Sequence, residues 1–225
     1  LQALAVEEKV VPDGAEMAGT KNGLGYIESD RGDLAAAQKW LSEALAIRRK
    51  LEPDSLDVAS SLNNLGIVEA RRGDLDKADE YWSRSLAIKE KLVPGSLDLA
   101  WTLGNLGILN LQRGDLDRAQ NYLQEDLAIE EKISPDSLNT AKSLNNLGQL
   151  FSNRGDLTQA EEYYRRALAI KQRVGPDSLD VANSLSNLGQ LDRLRGDLAR
   201  ADDYQRRALA IREKLAPESV ETAQS

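Results

Sequence analysis

The sequence predicts an all-α fold, a solenoid of stacked antiparallel helix pairs, and three shared periodicities predict it. All six prolines, Pro12, Pro53, Pro94, Pro135, Pro176 and Pro217, stand 41 residues apart. Gly32, Gly73, Gly114, Gly155 and Gly196 keep the same interval, and so do Gly25, Gly66, Gly107, Gly148 and Gly189. A fixed period of this length marks a repeat architecture, in which each unit buries its apolar face only against its neighbours.

Within the repeat that begins at Pro53, each element has a local cause. Ser55 follows the proline and precedes an apolar-periodic run, the signature of a helix N-cap. Leu56, Ala59, Leu62, Leu65, Gly66 and Val68 then fall at three- and four-residue steps, one stripe of a helix ending at Arg72. A positive charge there suits the negative end of the helix dipole. Gly73 supplies the left-handed conformation that closes a helix, and Asp74 is placed to cap the next one. Leu75, Ala78, Trp82, Ser85 and Leu86 form the second stripe, running toward Leu92; Pro94 and Ser96 restart the cycle. The tripeptide Arg-Gly-Asp, repeated at Arg31, Arg72, Arg113, Arg154 and Arg195, is therefore a junction between two helices and not an adhesion signal.

The repeats run 12–52, 53–93, 94–134, 135–175 and 176–216 in a single domain over 1–225. Residues 1–11 align with the tail of a second helix and 217–225 with the start of a first one, so the chain reads as part of a longer protein. The first repeat is degenerate. Gly14, Gly19 and Gly23 stand at the places of Ser55, Ser60 and Asn64, and Lys21 at that of a stripe leucine. Interior glycine costs about 0.5–1 kcal/mol in a helix relative to alanine, which fits a frayed terminal repeat. The charged stretches that end the second helices, such as IRRKLE from Ile47 and IKEKLV from Ile88, read as solvated ridges. Asp126 stands where Ala44, Ala167 and Ala208 stand elsewhere, and the pattern leaves open whether it turns to solvent or loosens the stack.

Composition excludes several functions. Cysteine and histidine are both absent, which removes disulfides, Ser-His and Cys-His relays and most zinc sites. A formal charge of -8 argues against a surface that tracks phosphates, and 4% aromatic residues leave few platforms for stacking bases. No apolar run is long enough to span a membrane, and no targeting signal is seen, so cytoplasmic location is the default. No carboxylate pair is singled out for acid–base work, no metal or other cofactor is called for, and the chain reads as a non-enzyme.

These units resemble the tetratricopeptide repeat. Leu62 stands at the tryptophan place of that pattern, Leu65 and Gly66 match its Leu-Gly pair, and Ala78, Trp82 and Ser85 match the later Ala, aromatic and Ala. The tyrosine place is poorly kept, holding Glu28, Glu69, Asn110, Phe151 and Asp192. Long repeats with SLNNLG and RRALAI are similar to those of kinesin light chains and of bacterial kinesin-light-chain-like arrays, which often adjoin effector domains. The resemblance implies a right-handed superhelix whose first helices line a concave groove for partner peptides.

On that expectation the informative residues lie off the packing stripe of the first helices. Asn64, Asn105, Asn146 and Asn187 occupy one place in four repeats; Asn63 and Asn145 precede two of them. A carboxamide offers donors and an acceptor to an extended peptide backbone, and equally to a neighbouring helix, so these asparagines are candidates both for gripping peptide and for holding the stack. Trp101 and Ile108, with Ile67, suggest an apolar pocket, while Lys142, Gln149 and Arg193 vary from repeat to repeat as specificity residues would, and Tyr26, Asp30 and Arg71 belong to the same set. The expected partner is a protein or peptide, an extended segment with an apolar anchor and a nearby acidic residue. No nucleic acid or membrane is expected, and the alternative is a structural module that mediates self-association or positions an effector domain of the same chain.

Overall fold

The structure, a computed structural model, describes residues 14–215. The alignments of 1–11 and 217–225 lie outside the described residues. Ten helices and no strand occur among the latter: α1 Ala15–Arg31, α2 Leu34–Leu51, α3 Leu56–Arg72, α4 Leu75–Leu92, α5 Leu97–Arg113, α6 Leu116–Ile133, α7 Leu138–Arg154, α8 Leu157–Val174, α9 Leu179–Arg195 and α10 Leu198–Leu215. The fold is all-α, built of stacked helix pairs at the predicted interval.

The caps are those the sequence expects. Ser55 accepts a hydrogen bond from the Val58 amide at 3.3 Å, and Asp74 accepts one from Lys77 at 3.1 Å. Between them Gly73 sits at φ 84°, a backbone conformation that glycine adopts without strain, and its amide and that of Asp74 close the end of α3 on Ala70 and Glu69. The other periodic glycine has a different task. A Cβ on Gly66 would lie 2.5 Å from Trp82 of α4, and one on Gly148 would lie 2.5 Å from Tyr164 of α8. These glycines let the two helices of a pair approach until an aromatic ring rests on bare backbone.

The chain divides into two compact units, Leu1–Leu109 and Asn110–Ser225, the division falling within α5. In the first unit, Ala37, Leu41 and Leu45 of α2 pack with Val58, Leu62, Leu65 and Val68 of α3. Helix α1 forms despite its glycines: Met17 and Ala18 are buried beside Ile47, and Lys21 turns its amine to Glu43 at 2.6 Å and over the Trp40 ring. In the second unit one continuous core joins α6 to α10, with Leu123, Leu144, Leu147, Leu150, Leu185 and Leu188 at its centre.

Buried acids at the poorly kept tyrosine place make polar contacts, the first of them to the preceding repeat and the second within its own. Glu69 is fully buried and accepts from Gln38 of the preceding repeat at 2.7 Å; Asp192, also buried, pairs with Arg200 at 3.3 Å.

The reading of the charged helix tails as solvated ridges is corrected by the structure. In three of these tails one cation turns inward and reaches the next repeat. Arg48 donates to the Asp57 carbonyl at 2.9 Å and to the Ser61 hydroxyl at 2.8 Å. Lys89, 41 residues on, donates to the Asp98 carbonyl at 3.0 Å and to Thr102 at 2.9 Å. Lys171 donates to Ser184 at 2.9 Å. Lys89 and Lys171 are both buried, and burial pulls their amines below the ordinary lysine value against the opposing pull of Asp98 and Asp180. A long aliphatic stem makes this possible, since the methylenes pack while the amine finds oxygen at the start of the next helix.

Candidate binding face

In the first unit the exposed edges of α1, α3 and α5 enclose a cavity of about 120 Å3, lined by Tyr26, Ser29, Asp30, Leu41, Asn64, Ile67, Arg71 and Trp101. Tyr26 and Trp101 are more than half exposed, an unusual state for large aromatic rings with a buried alternative. Their helices fix them: Tyr26 and Ile67 stand at one repeat place, 41 residues apart, so successive first helices present them side by side. Ile108 continues that row and is also exposed.

Arg71 forms a polar wall. Its guanidinium donates to the Ser29 carbonyl at 2.7 Å and to the Ser29 hydroxyl at 3.0 Å, and it faces Asp30 at 3.7 Å. Within the cavity its charge is met by Asp30. What remains is an apolar receptacle of the size of one side chain: an engineered void of about 150 Å3 holds a benzene ring.

The paired asparagines divide into two tasks. Asn63 is buried, and its side-chain oxygen accepts from Asn105 at 3.3 Å and from Thr102 at 3.5 Å, both in the next repeat. Its carbonyl also accepts from the Trp82 indole at 3.1 Å. Asn22 does the same one repeat earlier, accepting from Asn64 at 3.4 Å and from Ser61 at 3.3 Å. Asn63 therefore lies inside the contact between repeats and not on an open face, while Asn64 and Asn105, half-buried, each donate inward with one end of the amide. In the second unit the corresponding oxygen, on Asn145, is buried without a hydrogen-bond partner. The ladder is not uniform.

Lys142, Gln149 and Arg193 are exposed on the first helices of the second unit, and Asn146 and Asn187 are half-buried there. Gln149 is engaged with Asn153 at 2.7 Å. Of the candidates, then, Asn64, Trp101, Tyr26, Asp30 and Arg71 meet in one cavity with Ile67. Sequence reasoning missed Ser29 and Leu41 as lining residues. Ser29 carried a signal, lying three positions from Tyr26 and hence on the same helix face. Leu41 carried none, because a core leucine whose flank floors a cavity reads only as core.

A family model described as tetratricopeptide repeat matches residues 16–91, 57–132, 98–173 and 139–214. No curated protein matches the chain in sequence. Among solved structures, it is similar to BtubC (BKLC) from P. vanneervenii, with TM-score 0.82 and 25% identity over 97% of this chain and 89% of that one. It is also similar to a putative kinesin light chain of Podosopora anserina with nearly identical TPR-like repeats, with TM-score 0.75 and 18% identity over 92% of this chain and 99% of that one. Two glycine registers and two cap registers recur at one interval along a chain whose described length the family model covers almost from end to end, and the chain belongs to the tetratricopeptide repeat family.

Proposed function

We propose that this chain is a non-enzymatic interaction scaffold, and that its first unit takes an apolar side chain of an extended partner segment into the Trp101 cavity. One observation carries the reading: Trp101, Tyr26 and Ile67 present apolar surface together around a concavity, with both aromatic rings more than half exposed. Aromatic rings of this kind concentrate binding energy at interfaces. Asn64 and Asn105 stand beside it with amide groups only partly used, suited to hold a peptide backbone. Kinship with kinesin-light-chain-like repeats is in keeping with a role in recruiting other proteins.

The test is selection from a random-peptide library on the parent chain and on Trp101→Ala. Enriched peptides with a common large apolar residue that lose most of their affinity for the variant support the reading. Peptides that bind both equally would refute it and leave the alternative, a structural module that self-associates or positions an effector domain. Trp101 fluorescence gives a second readout, since a side chain seated against the ring shifts its emission to the blue.

A further inference from the structure

The inward cation described above stands at 41-residue steps as Arg48, Lys89 and Lys171, with Arg212 at the same place in the last repeat, and the series is broken once. The third repeat has Glu130 at that place. The acid at the start of the following helix is broken at the same point: Asp57, Asp98 and Asp180 stand at one place, with Asn139 among them. One turn before Glu130, Asp126 replaces the small residue found as Ala44, Ser85, Ala167 and Ala208. The contact between α6 and α7 thus holds two carboxyls on adjacent turns of one helix, where every other junction has a cation and a small residue.

Both carboxyls are buried, each only 5% exposed, and Glu130 has an oxygen, Oε2, with no hydrogen-bond partner. Facing them on α7 are Ser143, which bonds to Asp126, and Lys142, whose charge acts on Glu130. Lys142 is exposed and stands at no inward place. Helix α5 carries charge only at its ends, Asp98 and Arg113, and α8 reaches α6 through Arg166, which pairs with Glu131 instead. Among the described residues no cation replaces the missing lysine between the two carboxyls.

Proton placement decides what this junction can do. Ser143 donates its hydroxyl hydrogen to the Asn139 carbonyl at 3.2 Å. A protonated Asp126 can donate to the same hydroxyl oxygen, and a complete chain of hydrogen bonds then crosses from α6 to α7. An ionised Asp126 must compete for the only hydrogen Ser143 has, one helical turn from a second buried acid. We propose that the α6–α7 contact is a proton-operated latch, tight while Asp126 is protonated and loosened when Asp126 ionises beside Glu130.

Burial in the first place, and Glu130 in addition, hold Asp126 at about 7 against the downward pull of the Ser143 hydrogen bond. The latch therefore works around neutral pH. Closing the contact raises the affinity of Asp126 for its proton, so protonation favours the closed form and the contact weakens as pH rises.

The experiment is hydrogen exchange of the full chain at pH 5.5 and pH 8, expressed as protection factors, comparing amides at 138–144 with those at 179–185. In the parent, opening at 138–144 should increase roughly thirtyfold over that interval, and opening at 179–185 should not follow it. Asp126→Asn and Asp126→Ala, the latter supplying the residue other repeats carry, should both lose the pH dependence. Flat protection in the parent would overturn the proposal, as would an undiminished dependence in either variant.

Discussion

Alanine in place of Gly148 tests the packing logic of the repeat most sharply, because two effects oppose one another and the structure says which is larger. Gly148 lies in the interior of α7, where exchanging glycine for alanine favours the helix by about 1 kcal/mol. The new methyl would stand 2.5 Å from Cδ1 and Cε1 of Tyr164 and 3.1 Å from Cγ. Ordinary carbon contacts begin near 3.5 Å, so the ring must retreat by roughly 1 Å, and at 3% exposed it has nowhere empty to go. Overpacking of this kind costs about 1–3 kcal/mol. The expected net result is a loss of up to about 2 kcal/mol, or up to roughly 4–8 °C in Tm for a chain of this size. Gly23 in α1 is the control, since it is helical and exposed, with nothing within 4 Å of an added Cβ. Gly23→Ala should raise stability by about 0.5–1 kcal/mol. Urea titrations of both variants against the parent read the two signs. A Gly148→Ala variant as stable as Gly23→Ala would refute the claim that these glycines exist for helix contact.

Further outcomes follow from the same geometry. Trp101→Ala should leave the urea midpoint nearly unchanged, within about 0.5 kcal/mol, because the ring is 56% exposed. Asn63→Ala should cost about 1–2 kcal/mol by stranding its donors in the next repeat, whereas Asn145→Ala, which deletes an unpartnered buried oxygen, should cost less than about 0.5 kcal/mol; paired denaturation curves separate them. Burial pushes the Glu161 carboxyl up, but hydrogen bonds from Arg195 and Arg200 outweigh it and hold the group at about 2. A carboxyl with its value depressed contributes stability that is present above its unfolded value near 4.5 and lost as pH falls toward 2. The stability gap between the parent and Glu161→Gln should therefore shrink across that window, and a gap constant with pH would show the network to be idle.

Much of this architecture was legible in advance because its causes are local. Ser55, Gly73 and Asp74 act within one turn of their own positions, so spacing alone placed the helix ends correctly. The stripe residues were readable for the same reason. What escaped the sequence was direction. Asn63 and Asn64 are adjacent and chemically identical, yet one is sealed between repeats and the other borders a cavity, a difference set by helix rotation. Lys89 and Lys91 read alike in a charged tail; a rotation of two residues sends the first inward to Thr102 and leaves the second exposed. Asp126 was recognisable as anomalous by its place, but its significance depends on Glu130 and Asn139, and that three-way exchange is visible only when the inward role of Lys89 is known.

The alternation of cation and acid from tail to head also restricts how such a chain can change its length. Units of equal size invite loss or duplication of whole 41-residue blocks, yet the blocks here are not equivalent tokens. Excision of 53–93 would bring Arg48 to Asp98 and preserve a matched junction. Excision of 135–175 would bring Glu130 to Asp180, one acid against another, with Asp126 a turn away. The third and fourth blocks are thus bound together as a single heritable piece, and the array carries within its joints a grammar that fixes the order of its parts.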